Sequence, residues 1–196
     1  QDPVLLPTAP PDLLPQQLEA LETIRGAIDR LEPRVVLLHG FPLSRAIWAA
    51  QIAELSAHHR LIAPDLRGHG DSEATPGPYR MDLLADDIYA LLEALQIKQP
   101  IVLGGLSMGG YVAMAFARRY PERLAGLLLT ATRAGSDTPA GMDGRRQAIA
   151  AIQRADNIQP TVEGMLPKLF APQTYTDNPT LVMEVRRIME QTSTEG

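Results

Sequence analysis

The sequence predicts an α/β fold in which a mostly parallel sheet is covered by helices, and three observations carry that prediction. From Arg34 onward, short runs of β-branched and leucine residues alternate with segments of helical periodicity. The runs are apolar at consecutive positions, as in strands buried on both faces, and each closes on Gly, Pro or Asp. Two of them run directly into glycine-bearing loops, His39-Gly40-Phe41-Pro42 and Gly105-Leu106-Ser107-Met108-Gly109.

Taken in order, residues 1 to 33 open with Pro3, Pro7, Pro10, Pro11 and Pro15 and then place Leu18, Leu21, Ile28 and Leu31 at helical spacing. They predict an extended arm and one amphipathic helix of unassigned role. The expected strands are Val35 to Leu38, Leu61 to Ala63, Ile101 to Leu103 and Gly126 to Thr130. Between them, Ile47, Trp48, Ile52 and Leu55 repeat at helical spacing, as do Leu84, Ile88, Leu91 and Leu95. Tyr111 to Arg119 is apolar almost all round, which predicts a buried helix. A polar, glycine-bearing hinge is expected at Ala134 to Gly144, and helices at Arg145 to Arg154, Thr161 to Phe170 and Pro179 to Gln191. This divides the chain into an arm (1–33), a core (34–134) and a helical segment (135–196).

Composition narrows the function. A net charge of -5 offers no surplus of Lys and Arg for a phosphate backbone, so no nucleic-acid partner is expected. No apolar run approaches the roughly 20 residues a bilayer span needs, and no basic-then-apolar leader opens the chain; the expectation is a cytoplasmic protein without a membrane partner. With no cysteine, thiolate metal sites and disulfides are excluded. Asp86, Asp87 and Glu93 read as a solvated helix face and not as a metal site, and no cofactor is called for.

The chemistry lies in the two loops. Gly105-Leu106-Ser107-Met108-Gly109 matches G-x-S-x-G between a buried strand and a helix. Glycines two places either side of Ser107 let strand and helix approach, so that the Ser107 hydroxyl stands exposed at the carboxyl edge of the sheet. Acyl transfer also needs two N–H donors for the developing oxyanion, and the backbone N–H groups of Phe41 and Met108, just past neighbouring strands, are the natural pair. His39 reads as a structural residue holding its loop by hydrogen bonds. Asp137, in a Ser-Asp-Thr-Pro turn, reads as a cap for the next element. Trp48 reads as core; Met142, Met165, Met183 and Met189 suit either helix packing or a substrate surface.

Four segments together carry a resemblance: Val-Val-Leu-Leu-His-Gly-Phe-Pro (35–42), Ala-Pro-Asp-Leu-Arg-Gly-His-Gly-Asp-Ser (63–72), Gly-Leu-Ser-Met-Gly-Gly (105–110) and Arg-Arg-Tyr-Pro-Glu-Arg (118–123). In order and spacing they resemble the α/β-hydrolase fold superfamily, and within it the small esterases, enol-lactonases and cofactor-free haloperoxidases. The resemblance covers Arg34 to the C-terminus and corresponds to the nucleophile half of the core plus part of a lid. It implies a serine hydrolase of small carboxylic esters or lactones with Ser107 as nucleophile. It further implies that the segment holding Asp65, Arg67, Gly68 and Gly70 is a structural turn, with His69 as scaffold, and that the helices from Arg145 onward are a lid over the substrate.

The chain departs from that pattern in one respect that matters. The superfamily orders its triad Ser, then Asp or Glu, then His. All four histidines, His39, His58, His59 and His69, precede Ser107, and His58 and His59 read as a solvated pair at a helix end. The base is therefore expected from outside this sequence. The alternative is an inactive or truncated hydrolase scaffold with a binding or assembly role. A phosphate-binding protein is a weaker third reading, because the loop after Leu103 offers no Lys or Arg and no Gly-Lys-Ser/Thr occurs. If the sheet ends at Gly126 to Thr130, that strand is an apolar edge, and a homo-oligomer formed through it is expected.

Overall fold

A computed structural model describes residues 34–195, so the arm and helix expected in residues 1–33 lie outside the described residues. The strands are β1 (Val35–Leu38), β2 (Leu61–Ile62), β3 (Ile101–Leu106) and β4 (Leu124–Thr130), all parallel, in the order β2-β1-β3-β4. Each expected strand is present. β3 runs three residues further than its apolar run suggested, because Gly104 and Gly105 continue the ladder opposite Leu37 and Leu38.

Helices fill the connections, as parallel strands require. A 3-10 turn (Arg45–Trp48) leads into α1 (Ala49–Leu55); α2 is Met81–Ala94 and α3 is Met108–Arg119. α2 and α3 cover one face of the sheet, where Phe116, Leu84, Leu92 and Val112 pack on Val36, Leu38 and Leu103. α1 covers the other, where Trp48 and Leu55 pack on Val35, Leu37 and Val102. Trp48 is core, as its place on an apolar helix stripe predicts. Val35 to Leu38 are at most 1% exposed, which is why β1 has no polar alternation.

Asp86, Asp87 and Glu93 on α2 are more than a solvated face. Asp87 receives a two-pronged hydrogen bond from Arg67, Asp86 accepts from Arg119 and from the Tyr120 hydroxyl, and Glu93 accepts from Arg123. Their partners are distant in sequence, so α2 is latched to its neighbours by pairs that no local pattern announces.

After β4 come α4 (Pro139–Ala155), α5 (Gln159–Met165), α6 (Pro172–Asp177) and α7 (Pro179–Glu190), with a 3-10 turn at Leu166–Lys168. Here two expectations are corrected. α4 starts at Pro139 inside the expected hinge, because Thr138 caps it by accepting from Gly141 N–H and Pro139 takes the first position, where its missing N–H costs nothing. Thr138, and not Asp137, is thus the cap. α6 was not expected; its six residues are too few for a periodic signal. The helical segment has its own core of Val162, Leu166, Val182, Ile188 and Met189, joined to Leu43 from the loop after β1. Thr192 strengthens that junction by donating to the Pro42 carbonyl at 3.1 Å.

Candidate active site

β3 ends and α3 begins around Ser107, whose backbone takes φ 51° and ψ -111°. This conformation is rare for a residue with a Cβ and marks the tight strand-to-helix bend. Two close approaches force it. A Cβ on Gly105 would lie 2.3 Å from the Gly109 carbonyl oxygen, and one on Gly109 would lie 2.4 Å from the Leu38 carbonyl oxygen. Only glycine lets α3 cross β1 and β3 this closely. The bend is fastened by Ser107 N–H to the Thr130 carbonyl at 2.9 Å and by the Thr132 hydroxyl to the Ser107 carbonyl at 2.8 Å. The Ser107 side chain makes no capping hydrogen bond to the helix it begins.

The loop after β1 lies against this bend. A Cβ on Gly40 would come within 3.2 Å of Ser107 Cβ, which places Phe41 beside the serine. Neither the Phe41 nor the Met108 N–H finds an acceptor among the described residues.

His39 fixes that loop. Its Nε2 accepts from Leu66 N–H at 2.9 Å, which leaves Nδ1–H to donate to the Gly40 carbonyl at 3.0 Å. Burial lowers its pKa to about 4. With both nitrogens engaged in backbone contacts, His39 is structural, as its sequence context suggests. The turn it reaches is equally built. Asp65 accepts from the backbone N–H and guanidinium of Arg45 and from Asp71 N–H, and Gly70, at φ 53°, packs where a Cβ would strike the Asp65 carboxylate. His69 anchors Nδ1 on the Arg67 carbonyl at 3.0 Å, and burial lowers its pKa too; its Nε2 is buried without a partner among the described residues. His58 and His59 form a pair near the end of α1, rings 6.4 Å apart.

Ser107 opens into a cleft of about 1300 Å³ between the sheet edge and the helical segment. Phe41, Tyr79, Met108, Tyr111 and Met165 contribute to its walls. Of the four methionines singled out in sequence, Met165 faces the cleft, Met189 is fully buried, and Met142 and Met183 are exposed. Asp137 is also at the cleft, held between Arg133 and Arg145, which keep its carboxyl below the usual range, Arg145 contributing most. The arginines were not expected. Arg145 shares one α4 face with Gly141, Ala148 and Ile152, a pattern visible in sequence only once the helix is begun at Pro139. Among the described residues no group of three or more His, Cys, Asp or Glu is placed to hold a metal ion, and no helix is long and apolar enough to cross a membrane.

A parallel sheet with this serine bend defines the class of protein, and comparison with known proteins gives the family. Residues 33–172 match the model of the alpha/beta hydrolase fold, and the chain belongs to that family. It is 32% identical to 3-oxoadipate enol-lactonase 2 of Acinetobacter baylyi over 171 residues, 87% of this chain and 61% of that protein. Among solved structures it is similar to a thermophilic esterase from Thermogutta terrifontis, at 43% identity and TM-score 0.79, covering 83% of this chain and 60% of that one. The enol-lactonase from Burkholderia xenovorans LB400 follows at 30% identity and TM-score 0.75, with 84% and 62% covered. The chain thus spans about six tenths of the length of these relatives.

Proposed function

We propose that the chain is the nucleophile-bearing portion of a serine hydrolase that acts on small carboxylic esters or lactones. The observation that carries this reading is Ser107 at φ 51° on the β3 to α3 bend, with the Gly40 loop against its Cβ. In this mechanism Ser107 Oγ bonds to the substrate carbonyl carbon while the carbonyl π pair moves to oxygen. The backbone N–H groups of Phe41 and Met108 hold that oxyanion, a contribution on the order of 3 kcal/mol for each donor. Collapse of the intermediate breaks the C–O bond, the leaving oxygen takes up the serine proton, and water then hydrolyses the acyl-serine. Residues 34–134 serve as the core and 135–196 as a lid, the cleft lying between them. The relatives' names, an enol-lactonase and an esterase, favour an oxygen ester over other acyl compounds.

None of the four histidines suits the role of base. His39 is engaged at both nitrogens, His69 keeps its remaining Nε2 buried and without a hydrogen bond to Ser107, and His58 and His59 lie near the end of α1. The reading assigns proton transfer to a histidine outside this sequence. The second reading, a scaffold that binds without turnover, draws on that same shortage. A fluorophosphonate probe separates the two. We expect slow, single-site labelling at Ser107 by peptide mass, lost in Ser107→Ala, because the oxyanion donors alone leave a residual rate above that of water. An intact mass unchanged after prolonged exposure, or label on another serine, would overturn the nucleophile assignment and leave the scaffold.

A further inference from the structure

We propose that Thr192, just past α7, is a positioning residue for the oxyanion site: its hydroxyl clasps the Pro42 carbonyl and so holds the loop that carries the Phe41 N–H. This deepens the reading of Ser107 as nucleophile, with Phe41 as one of its donors, and rests on it. The clasp joins residues 150 positions apart at 3.1 Å, and both ends are buried, Thr192 at 3% exposed. Thr192 is itself held in place, its N–H donating at 3.2 Å to the carbonyl of Met189, a fully buried residue of α7. A buried carbonyl that loses its donor keeps its desolvation cost, so without the hydroxyl the loop gains by moving.

Two anchors bracket Phe41. On its N-terminal side the Gly40 carbonyl accepts from His39 Nδ1–H at 3.0 Å and from Leu43 N–H at 2.9 Å. The peptide that joins Gly40 to Phe41 is planar, so fixing this carbonyl also fixes the line of the Phe41 N–H. On its C-terminal side the Pro42 carbonyl is held by Thr192. The first anchor belongs to the sheet and the second to the helical segment. Apolar contacts follow the same route: Leu43 is buried with Val182, Ile188 and Met189, and Phe41 and Leu106 pack against that cluster. Leu106 directly precedes Ser107, so one cluster bears on the neighbour of the nucleophile and on the residue that carries the donor. Such packing is non-directional and would be enough to attach α7; a hydrogen bond to a loop carbonyl adds a direction. An oxyanion donor needs that direction, because its contribution depends on being aimed before the charge develops.

The test uses the 196-residue chain and two readouts. Thr192→Val keeps the shape and removes the hydroxyl, Thr192→Ser keeps the hydroxyl, and Ile88→Val, buried on α2, shows the effect of lost stability alone. Labelling of Ser107 by a fluorophosphonate is followed against reagent concentration, which separates affinity for the reagent from the rate of the bonding step. We expect Thr192→Val to slow the bonding step about tenfold with reagent affinity within about twofold, Thr192→Ser to recover most of the rate, and Ile88→Val to label as the wild type does. Amide hydrogen exchange needs no reactivity at Ser107. The ratio of exchange at Leu43 N–H, which closes the loop onto the Gly40 carbonyl, to exchange at Val36, in a strand paired on both sides, should rise about tenfold in Thr192→Val and stay unchanged in Ile88→Val. Thr192→Val labelling as fast as wild type, a loss confined to reagent affinity, Thr192→Ser as slow as Thr192→Val, or an unchanged exchange ratio would each overturn the proposal. A wild type that labels while the ratio stays unchanged sinks this inference alone; a ratio that rises in a chain that never labels upholds the clasp and sinks the nucleophile reading alone.

Discussion

Ser107 holds a backbone conformation that costs a residue with a Cβ on the order of 1–3 kcal/mol, and the fold over-determines it through Gly105, Gly109 and the Thr130 carbonyl. Replacing Ser107 by glycine should therefore raise the free energy of unfolding by about 1 kcal/mol, the relief being partly offset by the greater freedom of glycine in the unfolded chain. Urea denaturation with an unchanged slope measures this, and a destabilised Ser107→Gly would mean the bend is not strained. The glycines flanking Ser107 could be read from sequence because their role is local: a bend this tight demands glycines at fixed offsets. Arg133, Arg145 and Tyr111 could not, since they meet only when a helix formed after β4 is folded back over α3. The same holds for Asp137, whose turn context announces a cap while its actual partners lie four residues before it and eight residues after it.

At the scale of elements, the loops after β1 and β2 are joined through His39, which ties Leu66 N–H to the Gly40 carbonyl. That bridge needs a neutral imidazole, because Nε2 must accept. Burial lowers the His39 pKa to about 4 from 6.5, so the unfolded chain binds a proton that the folded one refuses between those values. His39 thus contributes stability that is full above pH 6.5 and is lost progressively as pH falls toward 4, in total about 3 kcal/mol. His69, also lowered by burial, acts in the same direction. Chemical denaturation between pH 7 and pH 4 should show this decline, and His39→Gln should flatten it while lowering stability at pH 7. A slope identical in that variant would remove His39 from the account. Strand and helix positions in the core were legible because strands buried on both faces read as short continuous apolar runs, whereas covering helices repeat their apolar positions every 3.6 residues. The start of α4 was not: Gly141 and Gly144 read as hinge residues, and what makes them helical is the Thr138 cap together with a face turned to the cleft, where a side chain would only take up room.

For the molecule as a whole, the sheet order fixes what the surface must present. β4 stands at the end of that order, and among the described residues it has a strand on one side only. Its alternation is half-buried to exposed, with Leu127 at 38% and Leu129 at 45% exposed. The sequence had suggested a strand apolar on both faces; the structure adds that the two leucines, spaced by two, share one uncovered face beside an open row of backbone groups. A ladder edge next to exposed leucines is the arrangement that draws in another strand, since pairing satisfies the backbone and buries the side chains at once. We therefore expect the 196-residue chain to self-associate through β4. Light scattering at moderate concentration should give a mass above that of one chain, growing with concentration. In the double variant Leu127→Lys and Leu129→Lys that growth should fall away without loss of helical signal, because charges on an edge strand repel a second copy and neither side chain lies in the core. A wild-type monomer at every concentration, or a double variant that associates as strongly, would show that this edge is not what holds copies together.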